Sequence, residues 1–360
     1  MADARVDALV VGCSARSDRR GALRYVLDAY LQFFEEFAVI PLEGAVAYFA
    51  HDEGRAKCAE DLPAAEHVDR IDMSKPGRKV AEYVRGIGSK SVGFYGMHSL
   101  SAGYYLSLLE CMDGIPMVDF TKSLDAVRMV KSDEEIALSE RAIRFNEDIF
   151  YVYMQCVVEG AGELDAINTA SLYAAKNSCE DQYWLSAFGG GVLRSLPSAE
   201  QEGKIWKKGD SGVVVLEHSA QGGYFGEVMH SFALETMTQE AEDAFRTVSQ
   251  AQRLAGEAIK PGTTAGEIAD LIDEILLQSV FLKKRHAGKP HGHGQGLDIA
   301  EPPLLVHGDS TVIRPGMRLN IHPRVTLPSG ITLVSTDCYV STDTGARRLS
   351  DLSYEPYVIR

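Results

Sequence analysis

The stretch His291-Gly-His-Gly-Gln-Gly-Leu-Asp-Ile-Ala-Glu301-Pro-Pro is the densest concentration of reactive side chains in this sequence of 360 residues. It holds two histidines and two carboxylates, side chains that bind metals or transfer protons. The glycines between them let the backbone come close to whatever the imidazoles contact. Since two prolines and an apolar run follow, a fixed turn is favoured over a flexible loop. We therefore expect this stretch to carry function.

A second cluster is Leu216-Glu-His-Ser-Ala-Gln-Gly-Gly-Tyr-Phe-Gly-Glu-Val-Met-His-Ser-Phe232. Glu217 ends an apolar run, and Glu227 lies inside the next predicted strand. A carboxylate is not buried in a strand without a partner, because desolvating a charge is costly. A solvated edge strand is the alternative explanation for Glu227.

Two further segments, Asn320-Ile-His-Pro323 and Ser335-Thr-Asp-Cys-Tyr-Val340, each place one ionisable group in an apolar strand. These groups are His322 and Asp337. Taken singly, such a residue is usually a core polar group with satisfied hydrogen bonds. Several of them in one domain favour a shared site.

Strand and helix patterns alternate up to about residue 120, which predicts a small α/β domain. Within it we expect a strand at 6–12, a helix at 20–36 and a hairpin formed by 38–41 and 45–49. The rest of the chain predicts an α+β domain in which helices cover one face of antiparallel strands. Its helices are expected at 132–158, from 163, at 239–258 and from 265. The predicted domains are 1–124 and 125–360.

Composition narrows the class of protein. Hydrophobic residues make up 45% and charged residues 24%, typical of a globular chain with a full core. The net charge of −15 argues against nucleic acid as a partner, because nucleic-acid binding depends on clustered Lys and Arg. No apolar stretch reaches the ~20 residues of a membrane span, and the start lacks a secretory pattern. Six cysteines without a C-x-x-C pair indicate reduced thiols, so a cytoplasmic location is expected.

The chain resembles the creatinase/aminopeptidase P, or pita-bread, superfamily. The motifs that carry the resemblance occur in the family's order: Arg128-Met-Val-Lys-Ser-Asp-Glu-Glu-Ile136, Gly222-Gly-Tyr-Phe-Gly-Glu227, Lys260-Pro-Gly-Thr-Thr264, Gly292-His-Gly-Gln-Gly296 and Pro315-Gly-Met-Arg-Leu-Asn-Ile-His-Pro323. The resemblance implies a curved antiparallel sheet covered by helices in the C-terminal domain. It also implies a smaller α/β creatinase-type N-terminal domain and a homodimer.

The family's metallopeptidases hold two metal ions with two Asp, one His and two Glu, and this sequence departs from that set. By resemblance, Glu217 and Glu227 stand for the two Asp, with Glu217 displaced by about one position. His293 keeps the histidine and His322 replaces the first Glu. The last Glu falls at Ser335 or Thr336, beside Asp337. Two substrate-side histidines of the family are also missing, at Leu196-Pro-Ser198 and at Ala300. An intact dinuclear site is not expected.

Two mechanisms remain open. In one, a single iron, zinc or manganese ion is held by Glu227, His293, His322 and Asp337. In the other there is no metal, as in creatinase, and these residues act with Glu217 as acids and bases.

Four more residues are expected to contact substrate: Tyr224, His230, His291 and Arg194. Arg194 ends the segment Gly189-Gly-Gly-Val-Leu-Arg194, whose backbone could form an anion-binding nest.

The predicted function is creatinase-like hydrolysis of an amide or amidine C–N bond in a small polar molecule. The alternatives are elimination, as in the dimethylsulfoniopropionate lyases of this fold, Xaa-Pro aminopeptidase activity, and a non-catalytic binding module. Against the binding module, ionisable side chains on inner strands cost stability when idle.

Overall fold

The computed structural model describes residues 1, 5–17, 19–31, 34–59, 61–188, 204–282 and 289–360, and the backbone alone of 194–195. The chain divides into two compact units, Met1–Arg128 and Met129–Arg360. The sequence places the boundary slightly earlier, between 124 and 125. The helix Thr121–Arg128 belongs to the first unit because Leu124 is buried in that unit's core.

The first unit is a six-stranded sheet with helices on both faces. Its strands are β1 Ala8–Ser14, β2 Glu35–Pro41, β3 Ala47–Ala50, β4 His67–Arg70, β5 Val92–Tyr95 and β6 Met117–Asp119. Its helices are α1 Gly21–Leu27, α2 Glu53–Ala59, α3 Arg78–Gly86, α4 Ala102–Cys111 and α5 Thr121–Arg128. The strand order is β4-β3-β2-β1-β5-β6, and β2 alone runs antiparallel to its neighbours. The expected α/β architecture and the β2–β3 hairpin are confirmed.

The expectation of one helix over 20–36 is wrong. Helix α1 ends at Leu27, and Asp28 takes a left-handed conformation with φ 57°. Glu35 and Glu36 open strand β2 instead. The buried Glu36 carboxylate accepts hydrogen bonds from Arg55 and from the hydroxyl of Tyr48. These contacts, made with residues distant in the sequence, outweigh the helical preference of the sequence around Glu36.

The described residues of the second unit form two five-stranded sheets and four helices. The helices are α6 Asp133–Cys156, α7 Glu163–Lys176, α8 Gln239–Ala258 and α9 Ala265–Gln278. The strands of the first sheet are β7 Trp184–Phe188, β8 Arg194–Ser195, β9 Ser211–Leu216, β10 Val228–Leu234 and β18 Tyr357–Ile359. Those of the second are β11 Gly292–Gly294, β12 Glu301–Leu304, β13 Arg318–Ile321, β16 Asp337–Ser341 and β17 Ala346–Arg348. A separate hairpin pairs β14 Arg324–Thr326 with β15 Thr332–Val334.

Each sheet of the second unit has helices against one face. Helices α6 and α7 pack on the β18-β10-β9-β7-β8 sheet, and α8 and α9 pack on the β12-β11-β13-β16-β17 sheet. Pairing is antiparallel except between β10 and β18. These are the curved, helix-covered sheets of the pita-bread fold, as expected.

Local sequence explains where the helices begin. Ser132 caps α6 and Thr264 caps α9, and each forms a capping box with the Glu three residues later. The sequence predicts the starts of all four helices of this unit to within a residue or so. Among the described residues, no helix combines the length and apolarity that crossing a bilayer requires.

A glycine lets α6 approach the β9–β10 hairpin. A Cβ added at Gly226 would lie 2.2 Å from the carbonyl oxygen of Ala142 in α6. We expect Gly226→Ala to lower the free energy of unfolding by at least about 2 kcal/mol, because backbone cannot yield to overpacking cheaply. Both tryptophans, Trp184 and Trp206, lie in this unit, so urea unfolding followed by their fluorescence reports on it.

The matched control is Gly345→Ala, because a Cβ there would meet nothing within 4 Å. It should change stability little. Equal midpoints for the two variants would contradict the close approach of α6.

Candidate active site

Three side chains from different strands meet in one buried group. Glu227 precedes β10, His293 lies in the middle of β11 and His322 follows β13. One potential ligand atom from each lies within 4.8 Å of the others. The register His293↔Asn320 explains the meeting, because His322 follows Asn320 by two and so shares its face of the sheet.

Glu227 is the centre of the group. Its Oε2 accepts a hydrogen bond from Asn320 Nδ2 at 2.7 Å and lies 3.6 Å from His293 Nε2. Its Oε1 accepts one from the Thr336 hydroxyl at 3.3 Å. The side chain is fully buried, so these contacts replace its hydration.

Glu217 is hydrogen-bonded to Glu227. Glu217 directly follows Leu216 and Glu227 directly precedes Val228, and these two residues pair across β9 and β10. Burial and the neighbouring Glu227 raise the pKa of Glu217 well above its usual value. Burial also acts to raise the pKa of Glu227, but the two histidines, Asn320 and Arg318 outweigh it and lower that pKa. The opposite directions of the two shifts favour a proton on Glu217 rather than on Glu227.

The two imidazoles lie side by side, with ring centroids 5.2 Å apart. The carbonyl of Gly294 lies 2.9 Å from Nδ1 of His293, so this nitrogen donates, and Nε2 faces Glu227. Burial lowers the pKa of His322 to about 4, which keeps its ring neutral at neutral pH. Nδ1 of His322 is buried and has no partner among the described residues.

This group fits one divalent metal ion. It offers one carboxylate and two histidines, a donor set typical of iron, zinc or manganese, and His322 Nδ1 lacks any other partner. Within the part of the chain that the structure describes, no other three His, Cys, Asp or Glu residues are grouped in this way. Thr336 faces Glu227 from the strand position where the resemblance allows the family's last Glu. A hydroxyl there does not supply a bridging carboxylate, so the residues do not fit a second ion.

Asp337 does not join the group, although the sequence places it among the ligands. It pairs with Ile321, whose side chain packs in the core beneath α8 and α9. Its carboxylate accepts hydrogen bonds from Arg348 at 2.6 Å and Tyr339 at 3.0 Å. Because side chains alternate along a strand, Thr336 and Cys338 face the site and Asp337 faces away.

Three of the expected substrate contacts have partners elsewhere in the second unit. The Tyr224 hydroxyl donates to Glu135 of α6 at 2.8 Å. The imidazole of His291 lies 2.9 Å from Asp273 of α9. His230 has its ring between those of Phe150 and Phe245, on the opposite face of β10 from Glu227. The structure does not bring these three into the group, and their roles remain predictions.

The side chain of Arg194, the segment 189–193 and Leu196-Pro-Ser198 lie outside the described residues.

A network of charged side chains that the sequence did not single out supports the site. Arg318 donates to the Phe225 carbonyl at 2.6 Å and to Gln295 Oε1 at 2.5 Å, which ties β13 to the segment before Glu227 and to the residue that follows β11. Lys131 and Glu301 form a buried ion pair with Nζ and Oε2 2.6 Å apart. Arg318 and Asn320 could have been found from the sequence, because they precede His322 by four and two residues. Side chains at this spacing lie on one face of a strand.

His218, next to Glu217, is fully buried, and neither ring nitrogen has a partner among the described residues. Its ring packs edge-on against Trp184, and burial lowers its pKa to about 3. We expect His218→Leu to raise the free energy of unfolding by about 1–3 kcal/mol, because it removes unsatisfied polar atoms. Urea unfolding followed by tryptophan fluorescence would measure this.

His291→Leu is the matched control. It removes a buried imidazole together with its 2.9 Å contact to the buried carboxylate of Asp273, and it should destabilise the protein. A loss of stability in both variants would show that the His218 nitrogens are satisfied.

Comparison with known proteins agrees with this architecture. A "Xaa-Pro dipeptidase" of Pyrococcus horikoshii is 24% identical over 282 residues, 77% of this chain and 78% of that protein. The "Probable dipeptidase PepE" of Mycobacterium bovis is 25% identical over 356 residues, 94% of this chain and 89% of that one. The structure of the Xaa-Pro dipeptidase from Bacillus anthracis superposes with a TM-score of 0.83 at 19% identity, covering 99% of this chain and 96% of that one.

The family model of metallopeptidase family M24 matches residues 137–351, which is more than half of the chain. The matched segment contains Glu227, His293 and His322. The predicted superfamily and its hydrolase class are confirmed. The chain belongs to metallopeptidase family M24.

Proposed function

We propose that this protein hydrolyses an amide or amidine C–N bond in a small polar molecule at the group Glu217, Glu227, His293 and His322, the four-residue site. One observation carries the proposal. A single buried group combines Glu227, His293 and His322, whose polar atoms lie within 4.8 Å of one another, with Glu217, and the pKa values of the two acids are shifted in opposite directions. Acids and bases placed together in this way serve proton transfer in hydrolysis.

In this reaction a water molecule adds to the substrate carbon, and the bond to the leaving nitrogen breaks. When no metal is bound, an imidazole, His293 or His322, takes the proton from water and passes it to the nitrogen. The Glu227 carboxylate orients the imidazole, and Asn320 and Thr336 hold the Glu227 carboxylate in place. Protonated Glu217 limits the negative charge of the site to one, which lets two carboxyl groups share a dry environment.

Glu227, His293 and His322 would hold at most one divalent ion of iron, zinc or manganese. When bound, such an ion polarises the substrate carbonyl and lowers the pKa of water. The proposal also includes a cytoplasmic homodimer, as the resemblance and composition suggest.

Hydrolysis of an Xaa-Pro dipeptide is the second candidate, because relatives bear that name. Against it, Thr336 and the hydrogen-bonded Glu217 leave the group short of the ligands that two ions require.

Metal content tests the site directly. Protein purified without a histidine tag or chelator should contain about one equivalent of iron, zinc or manganese by plasma mass spectrometry, since three donors converge on one position. His293→Ala and His322→Ala should each lose most of it.

The control is His307→Ala, because that imidazole is 69% exposed and pairs with Asp270 away from the site. It should retain the metal. About two equivalents would favour the peptidase over our proposal. A metal content far below one would overturn the metal site and leave acid–base chemistry alone.

Turnover tests the function. In a panel of amides, amidines, betaines and Xaa-Pro dipeptides, we expect product from an amide or amidine, with cleavage of C–N. Glu227→Gln and His322→Ala should reduce kcat/KM by about 10²- to 10⁴-fold, the range for lost acid–base groups. Asp337→Asn, on the other face of β16, should leave kcat/KM within about tenfold of wild type.

Absence of product throughout the panel would overturn the proposal in favour of a binding module. Cleavage of the dipeptides alone would favour the second candidate.

A further inference from the structure

The first unit contains a cavity that the family assignment does not explain. It has a volume of about 730 Å³, within the usual range for small-ligand sites. Its lining comes from the segments after β1, β3 and β5, from the start of β2 and from α4. The residues on which the argument depends are Arg16, Phe34, Glu35, His51, His98 and Tyr104.

The topology of the sheet favours a ligand at this place. Strands β1, β3 and β5 run in one direction, so their carboxyl ends share one edge of the sheet. The chain leaves β1 for α1 on one face and leaves β5 for α4 on the other. The neighbouring strands β1 and β5 thus form a topological switch point, where open α/β sheets bind ligands.

The backbone keeps the two strand ends close together. Gly96, directly after β5, has φ +129°, and a Cβ there would lie 2.1 Å from the Gly12 carbonyl oxygen. The hydroxyl of Ser99 donates to the same oxygen at 3.0 Å. Because these contacts are within the protein itself, the cavity is formed before any ligand binds.

The charges in the lining favour an anion. No carboxylate among the described residues pairs with the guanidinium of Arg16, and His98 lies in the same lining. Glu35 is the acid in the lining, and it accepts hydrogen bonds from the amide and hydroxyl of Ser101. Its charge is therefore partly offset at the start of α4.

One wall of the cavity is aromatic. The rings of Phe34 and His51 stack with centroids 3.7 Å apart and planes 1° from parallel. The Tyr104 hydroxyl lies 3.5 Å from Nδ1 of His51 and extends this wall. Phe34 is 37% exposed, so a flat group can contact it.

The geometry points to a binding site for a small organic anion with a flat ring. The acidic group, a carboxylate or a phosphate, contacts Arg16 and His98, and the ring packs beside Phe34. This site is in the first unit and does not depend on the function proposed for the second.

Calorimetric titration of the full chain with phenyl phosphate, benzoate and inorganic phosphate tests the site. At least one of the two ring-bearing anions should bind with a Kd below about 1 mM. The stronger of the two identifies the acidic group. Arg16→Gln should weaken binding about tenfold or more, because it removes a charge-assisted hydrogen bond. Phe34→Ala should weaken the ring-bearing probes and leave any binding of inorganic phosphate unchanged.

Two control variants separate this site from other anion contacts. Arg70→Gln removes an arginine that is 59% exposed and outside the cavity, and it should bind like wild type. His293→Ala should also bind like wild type, even if it abolishes turnover. The inference is overturned if no ring-bearing probe saturates, if Arg16→Gln binds normally, or if His293→Ala removes binding.

Discussion

The desolvation of one carboxylate, that of Glu227, constrains the architecture of the second unit. A buried ionised acid is tolerated only when nearby donors and positive charges replace its water. Asn320 and Thr336 donate hydrogen bonds to it, and the two histidines and Arg318 lower its pKa electrostatically. These residues come from strands β11, β13 and β16 and the segments beside them. The register between those strands must therefore be fixed for the acid to remain charged.

Local signals in the sequence were sufficient to predict where the helices of the second unit begin. Helices were expected to start at 132 and at 265, and the structure starts them at Asp133 and Ala265, capped by Ser132 and Thr264. The order of the glycine-rich motifs along the chain was sufficient to predict the fold. The prediction of a helix over 20–36 is wrong because Glu36 lies in strand β2 and pairs with Arg55 of α2. The local sequence pattern gives no sign of that contact.

The sequence indicated which segments contribute to the candidate site, but not which residue of 335–337 faces it. The structure groups Glu227, His293 and His322 and puts Glu217 beside Glu227, whereas Asp337 faces the helices and Thr336 lies beside Glu227. A shift of one residue turns a strand side chain to the other face. From spacing alone, Ser335, Thr336 and Asp337 were equal candidates for the position that faces the site. The pairing of Asp337 with Ile321 shows that Asp337 faces away from it.

Strand β18 pairs with β10, which directly follows Glu227, although the two strands are far apart in the chain. The sheet edge beside β10 therefore stays open during synthesis until residues 357–359 have left the ribosome. Contacts this distant in sequence form late in folding, because a long loop must close first. The first unit has its own core, so it is free to fold while the second is still being made. Maturation of the catalytic unit is thus tied to completion of the chain through residue 359.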